Sequence, residues 1–159
     1  MAANDRKALT FTTAALKEDL EIAGDPVVHL WIECSANDVD FFAYLEEVEP
    51  DGRSTYITDG CLRASHRSLN KPDYNRMGLP YHRSFARDKE SLPDGPSELV
   101  FDLYPTANLF DAGHRMRLSI TCADYDNNQT PQVNPVPEVT VYRDTERPSR
   151  ILMPVCKAQ

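Results

Sequence analysis

The chain contains no run of about eighteen apolar residues, so a helical membrane span is not expected. Its N-terminal stretch, MAANDRKALTF, lacks the apolar core of a signal segment. It also lacks a basic excess. With 17 basic and 25 acidic residues the net charge is -8, which argues against a phosphate-backbone partner and so against nucleic acid. The one local basic concentration, His82, Arg83 and Arg87, reads as a solvated loop. Closely spaced cysteines are missing too. Cys34, Cys61, Cys122 and Cys156 include no pair at zinc-knuckle spacing. Cys34 and Cys122 fall in phase with buried strand positions and read as small core residues in preference to a disulfide. Reduced cysteines in a domain with an adequate core point to the cytoplasm. A sustained 3.6-residue period is absent as well, and the best helix candidate is the short stretch Thr13–Glu18.

What the chain does have is proline, period-two alternation and enough apolar residues (41%) for a proper core. Its 159 residues are expected to form a single β-sandwich domain, 1–159. Twelve prolines separate short apolar runs. Candidate strands are Leu9–Thr12, Leu20–Ile22, Val27–Cys34, Phe41–Val48, Thr55–Leu62, Ser97–Leu103, Arg115–Ala123, Val139–Tyr142 and Ile151–Val155. Turn signals sit at Gly24-Asp25-Pro26, Pro50-Asp51-Gly52 and Asp111-Ala112-Gly113. The alternation is longest from His114 to Cys122, where His114, Met116, Leu118, Ile120 and Cys122 are predicted to face the core. Val28, Leu30, Ile32 and Cys34 are predicted to face them from the other sheet. Two segments break this pattern. Asn70–Pro96 is a polar excursion too long for a plain turn, with Tyr74, Tyr81 and Phe85 interleaved. Asp124–Pro137 is a polar, proline-rich loop.

Five segments, in order, resemble the C-terminal β-sandwich of the CocE/NonD serine hydrolases and X-Pro dipeptidyl-peptidases. LTFTT from Leu9 and LEIAG from Leu20 look like its first strands. VHLWIE from Val28 leads into SANDVDFFAYL, similar to the family's DTDF strand. VEPDGR from Val48 matches its hairpin, and TDGCLRASHR from Thr58 matches its DG…LRA strand. LYPTANLFDAGHRMRLSI, Leu103 to Ile120, carries its proline-bounded loop and Gly-His-Arg strand start. The resemblance spans about Leu9 to Val155. It implies an all-β, jelly-roll, galactose-binding-domain-like fold, and a non-catalytic domain that packs on an α/β-hydrolase domain, walls part of its cleft and supports oligomerisation. That catalytic domain lies upstream or on a partner chain.

The family's acyl transfer needs a serine in a G-x-S-x-G elbow. No serine here is bracketed by glycines at that spacing, so no catalytic residue is assigned. His114 reads as a structural histidine that anchors its turn. Asp38 with Asp40, and Asp124 with Asp126, Asn127 and Asn128, offer oxygen ligands but lack the pattern of an EF-hand loop. They read as turns, and no metal or cofactor is assigned. The candidate docking surface is His29, Trp31 and Phe42. Val27, His29 and Trp31 oppose the core-facing side of their strand, and Phe41 and Phe42 put an aromatic on each face of the next. An outer sheet face is normally polar. Either the Asn70–Pro96 excursion covers this patch or another domain or a second copy docks on it. A stand-alone carbohydrate- or ligand-binding module is the other functional reading.

Overall fold

A computed structural model describes residues 7–125, 127–129 and 133–156. Its ten strands are β1 (Leu9–Thr12), β2 (Leu20–Gly24), β3 (Val27–Cys34), β4 (Asp40–Val48), β5 (Ser54–Arg63), β6 (Ser97–Asp102), β7 (Thr106–Phe110), β8 (Arg115–Thr121), β9 (Val139–Tyr142) and β10 (Arg150–Leu152). Two single-turn 3₁₀ segments, Ala64–His66 and Ala86–Asp88, are the helical pieces among the described residues.

All strand pairings are antiparallel, and four of them are nested. β1 pairs with β8, β2 with β7, β3 with β6, and β4 with β5. This is an antiparallel ribbon folded back on itself, the wrap of a jelly roll. One sheet runs β1-β8-β4-β5. The facing sheet is centred on β3, with β6 along one edge and β10 and β9 end to end along the other. The β2–β7 ribbon forms a third, two-stranded sheet and contributes Ile22 and Phe110, both fully buried.

The core lies between the two larger sheets, where period-two alternation puts it. Val28, Leu30 and Ile32 from β3 face Phe41, Ala43 and Leu45 from β4. Ile120 is buried as expected, while Met116, Leu118, Cys34 and Cys122 are half-buried and pack against this cluster. His114 is not in it. Its Nδ1 lies 2.8 Å from Glu47 Oε1, and its N–H donates to Asp111 O, so the imidazole ties the β7–β8 turn to β4.

The expected elements need three corrections. Thr13–Glu18 is not helical. Its backbone is committed to β8 and the turn before it, with Thr13 N donating to Met116 O, Leu16 N to His114 O, and Gly113 N to Leu16 O. The proline-bounded stretch after Leu103 is not only loop, because Thr106–Phe110 forms β7. The last strand ends at Leu152, and Val155 makes an isolated bridge to Ile22.

The two flanks of the sandwich differ. At the first, β5 meets β6 so closely that a Cβ on Gly60 would lie 2.5 Å from Asp102 O and 2.9 Å from Leu103 Cα. Thr58 Oγ1 donates to Tyr104 O and Tyr104 N to Asp59 O across this seam. The Asn70–Pro96 excursion runs along the outer edge of β6. His82 Nε2 donates to Val100 O at 2.9 Å and Arg76 pairs with Asp102 at 3.0 Å, so an otherwise open strand edge is occupied. At the opposite flank β1 and β10 stand apart, with an opening between them.

Candidate docking surface

β3 lies mid-sheet, so its outward residues gather neighbours from both sides. Trp31 stands opposite Tyr142 of β9 and Glu98 of β6. His29 stands opposite Val100 of β6 and Arg150 of β10. His29 Nδ1 is 3.0 Å from Glu98 Oε1 and 3.3 Å from Arg150 Nη2. The shorter contact is to the carboxylate, which places the ring proton on Nδ1, donating to Glu98. Tyr142 O–H donates to Glu33, and the Arg147 guanidinium lies 4.1 Å from the Tyr142 ring centroid. Trp31 N donates to Ser149 Oγ at 2.9 Å. The result is a half-buried aromatic strip, Trp31 and Tyr142, with both charge signs around it. The excursion's described hydrogen bonds reach β6 and the segments around Asn37 and Ser65, and none reaches Trp31.

Phe42 is not part of this strip. β4 belongs to the other sheet, and Phe42 points to that sheet's outer side between Cys61 and Thr121, only 4% exposed. Of the three expected docking residues, the fold brings together His29 and Trp31 and sends Phe42 to the opposite side of the molecule.

That second outer face holds a cleft missed at the level of sequence. It encloses about 830 Å³ and is lined by Tyr44, Tyr56, Tyr104 and Tyr125 around Glu46, Asp59 and Asp124. Glu46 is fully buried and accepts hydrogen bonds from Ser119 Oγ at 2.7 Å and from Ser54 Oγ. Burial, then the hydrogen bond to Asp59, pushes the Tyr56 phenol up to about 12. Burial and Asp124 push Tyr44 up as well. Burial alone would raise Asp124, but hydrogen bonds from Asn127, Tyr44 and Asn128 hold it below the ordinary carboxylate value. The signal available beforehand was a tyrosine on each of four separate segments, which period-two reading of single strands does not combine.

The other singled-out groups are already committed to structural partners. Asp40 is gripped by Arg63 through two bonds, at 2.7 and 2.9 Å. Asp38 Oδ1 accepts from Ser65 N at 2.9 Å. Asp126 lies outside the described residues. In the basic cluster, Arg83 pairs with Asp88, and Arg87 lies 4.9 Å from the Phe85 ring. All four cysteines are unpaired. Burial pushes the Cys122 thiol up to about 11, the state of a core residue and not a nucleophile. Among the described residues no helix is long and apolar enough to cross a membrane.

Residues 2–152 match the family of the X-Pro dipeptidyl-peptidase C-terminal non-catalytic domain. The chain belongs to that family. Among curated relatives, a putative serine esterase from Mycobacterium tuberculosis is 43% identical over 96% of the chain. The cocaine esterase of Rhodococcus is 28% identical over 94%. The chain spans 24% and 25% of the length of these two relatives. Among solved structures, a CocE/NonD family hydrolase from Staphylococcus aureus superposes with a TM-score of 0.80 at 18% identity, covering 96% of this chain and 31% of that one. An aminopeptidase from a marine-sediment archaeon, Thaumarchaeota archaeon, superposes at 0.74 with 22% identity, covering 95% of this chain and 26% of that one. At those identities the superpositions show the fold. The family assignment shows a C-terminal non-catalytic domain of the X-Pro dipeptidyl-peptidase type.

Proposed function

We propose that this domain docks on the α/β-hydrolase unit of a serine esterase of the CocE/NonD type and shapes its cleft. The reading rests on the match over residues 2–152, which fills the chain yet only about a quarter of the curated relatives. The remainder of those relatives is long enough to hold a catalytic unit. The docking face is the His29–Trp31 strip, where an indole and a phenol ring stay half-exposed on the outside of a sheet. Completing the burial of an indole contributes up to about 1.5–3 kcal/mol to docking or, without a partner, to pairing of two copies. Four unpaired cysteines support a reducing, cytoplasmic setting.

The test mixes the chain with the catalytic portion of the Mycobacterium tuberculosis relative, shortened to remove its own C-terminal region. Co-elution is expected, with increased nitrophenyl ester hydrolysis, and Trp31→Arg is expected to abolish both. Co-elution untouched by Trp31→Arg would remove the strip from the interface, and no interaction at all would overturn docking. Alone, the chain should hydrolyse no nitrophenyl ester and take no fluorophosphonate label.

One observation favours a second reading, a carbohydrate-binding module. The tyrosine cleft offers aromatic faces with carboxylate and amide groups beside them. Binding of a sugar in a glycan screen with and without calcium, lost in Tyr44→Ala, would establish it.

A further inference from the structure

The opening at the β1/β10 flank leads into a pocket of about 390 Å³ between the two sheets, within the usual range for small-ligand sites. Its floor is core. Val28, Leu30 and Leu45, at 0%, 2% and 1% exposure, line it from β3 and β4. Its walls include Met116, Leu118 and Met153, two of them thioethers that adapt to the shape of an apolar guest.

The rim is different in kind. Arg143, just after β9, reaches across the opening and lies 5.0 Å from the ring centroid of Phe11 on β1. Arg150 of β10 stands beside it, donating to Pro148 O at 3.1 Å and meeting His29 at 3.3 Å. Six other arginines of this acidic chain are neutralised. Arg53, Arg63, Arg67, Arg76, Arg83 and Arg147 each hold a carboxylate. Among the described residues Arg143 and Arg150 hold none, and the nearest acid, Glu98, is engaged by His29. Two guanidinium groups without a carboxylate thus stand over an apolar shaft that reaches the core.

We propose that this pocket binds a monocarboxylate with an unbranched apolar tail. The tail enters between the sheets and displaces water from Leu118, Met116 and Met153. The carboxylate stays at the mouth, where planar guanidinium forks match its two oxygens. The proposal goes beyond the docking reading and does not rest on it: the pocket opens at a flank, and it meets the docking strip only at His29, which belongs to both.

The test follows the methyl resonances of Met116 and Met153 in the full chain during titration with octanoate, octanol and octylamine. Octanoate is expected to shift both methyls and to bind about tenfold more tightly than octanol, the difference that charge-assisted hydrogen bonds supply. Octylamine is expected to be weakest. Affinity should rise from butanoate to octanoate as the tail lengthens. The double variant Arg143→Gln/Arg150→Gln should reduce octanoate to the level of octanol while leaving octanol unchanged. Leu118→Trp, which fills the shaft, should abolish both. Equal affinity for octanoate and octanol, a flat chain-length series, or octanoate binding unchanged in the double arginine variant would each overturn the proposal. The arginines are on the surface, so their double variant remains decisive if Leu118→Trp fails to fold.

Discussion

The two flanks of the sandwich begin from similar materials and end differently. Where β5 meets β6, a glycine lets two backbones touch, and an excursion pinned by His82 and Arg76 lies along the edge. Where β1 faces β10, no backbone hydrogen bond joins them among the described residues, and the Arg143 side chain crosses the gap to Phe11. A flank closed by main chain is sealed and fixed in register. A flank crossed by side chains can open to admit a guest. The difference comes from small residues and loop anchors, not from hydrophobicity, since phenylalanine is present on both sides.

That contrast can be broken most directly by removing the same side chain from each flank. Phe101→Ala, at the sealed flank and 2% exposed, should cost roughly 3–5 kcal/mol in urea unfolding. Phe11→Ala, half-buried at the open flank, should cost only about 1–2 kcal/mol. Equal losses would erase the distinction. Next in size is Gly60→Ala, which should cost about 3 kcal/mol, since the new Cβ would meet immovable backbone. A neutral result would show that the seam can separate. Leu118→Ala should cost about 1–2 kcal/mol, below the usual range for a buried leucine, because its pocket already exposes one side of it.

The smallest effects lie on the outer side of the sealed flank, in the tyrosine cleft. Tyr56 has a folded pKa raised to about 12 from an ordinary 10.0. Its contribution to stability is therefore fully present below pH 10 and is lost as the pH rises through 12. Absorbance titration should show late-titrating phenols, one of which disappears in Tyr56→Phe while that of Tyr44 remains. Asp124 is shifted the other way, so its contribution is present above the ordinary carboxylate pKa and is lost as the pH falls below it. Asp124→Asn should lower the neutral plateau and flatten the acid limb, so that the two stability curves converge at low pH.

Legibility in the sequence followed alternation. β3 and β9 were readable to the residue, because Val28, Leu30 and Ile32 alternate cleanly and because Val139–Tyr142 is flanked by polar loops. β7 was hidden because its polarity is inverted. Leu109 points outward at 52% exposure while Asn108 sits half-buried, so Thr106–Phe110 carries no usable period. The false helix at Thr13–Glu18 has good helix formers but gives its backbone hydrogen bonds to β8 some hundred residues away, a competition local propensity does not register. The docking residues show the same division. His29 and Trp31 share a strand, so their common face was predictable. Phe42 was grouped with them only because outward positions of two strands look alike until the strands are assigned to sheets. The arginine-rimmed pocket draws on β1, β8, β10 and the residue after β9, and no single segment announces it.

The nested pairing also sets an order in time. Val48 can find Ser54 across a short turn, whereas Leu9 must find Ile120. Closing a longer loop costs more entropy, so the β4–β5 hairpin is the cheapest nucleus. β3–β6, β2–β7 and β1–β8 then wrap around it in layers, each shortening the effective loop for the next. Of these four ribbons the outermost, β1–β8, is thus the last to form and the first to fray, and hydrogen exchange should run faster in β1 than in β4. The strand that borders the arginine-rimmed opening is the one the folding route leaves least tied down.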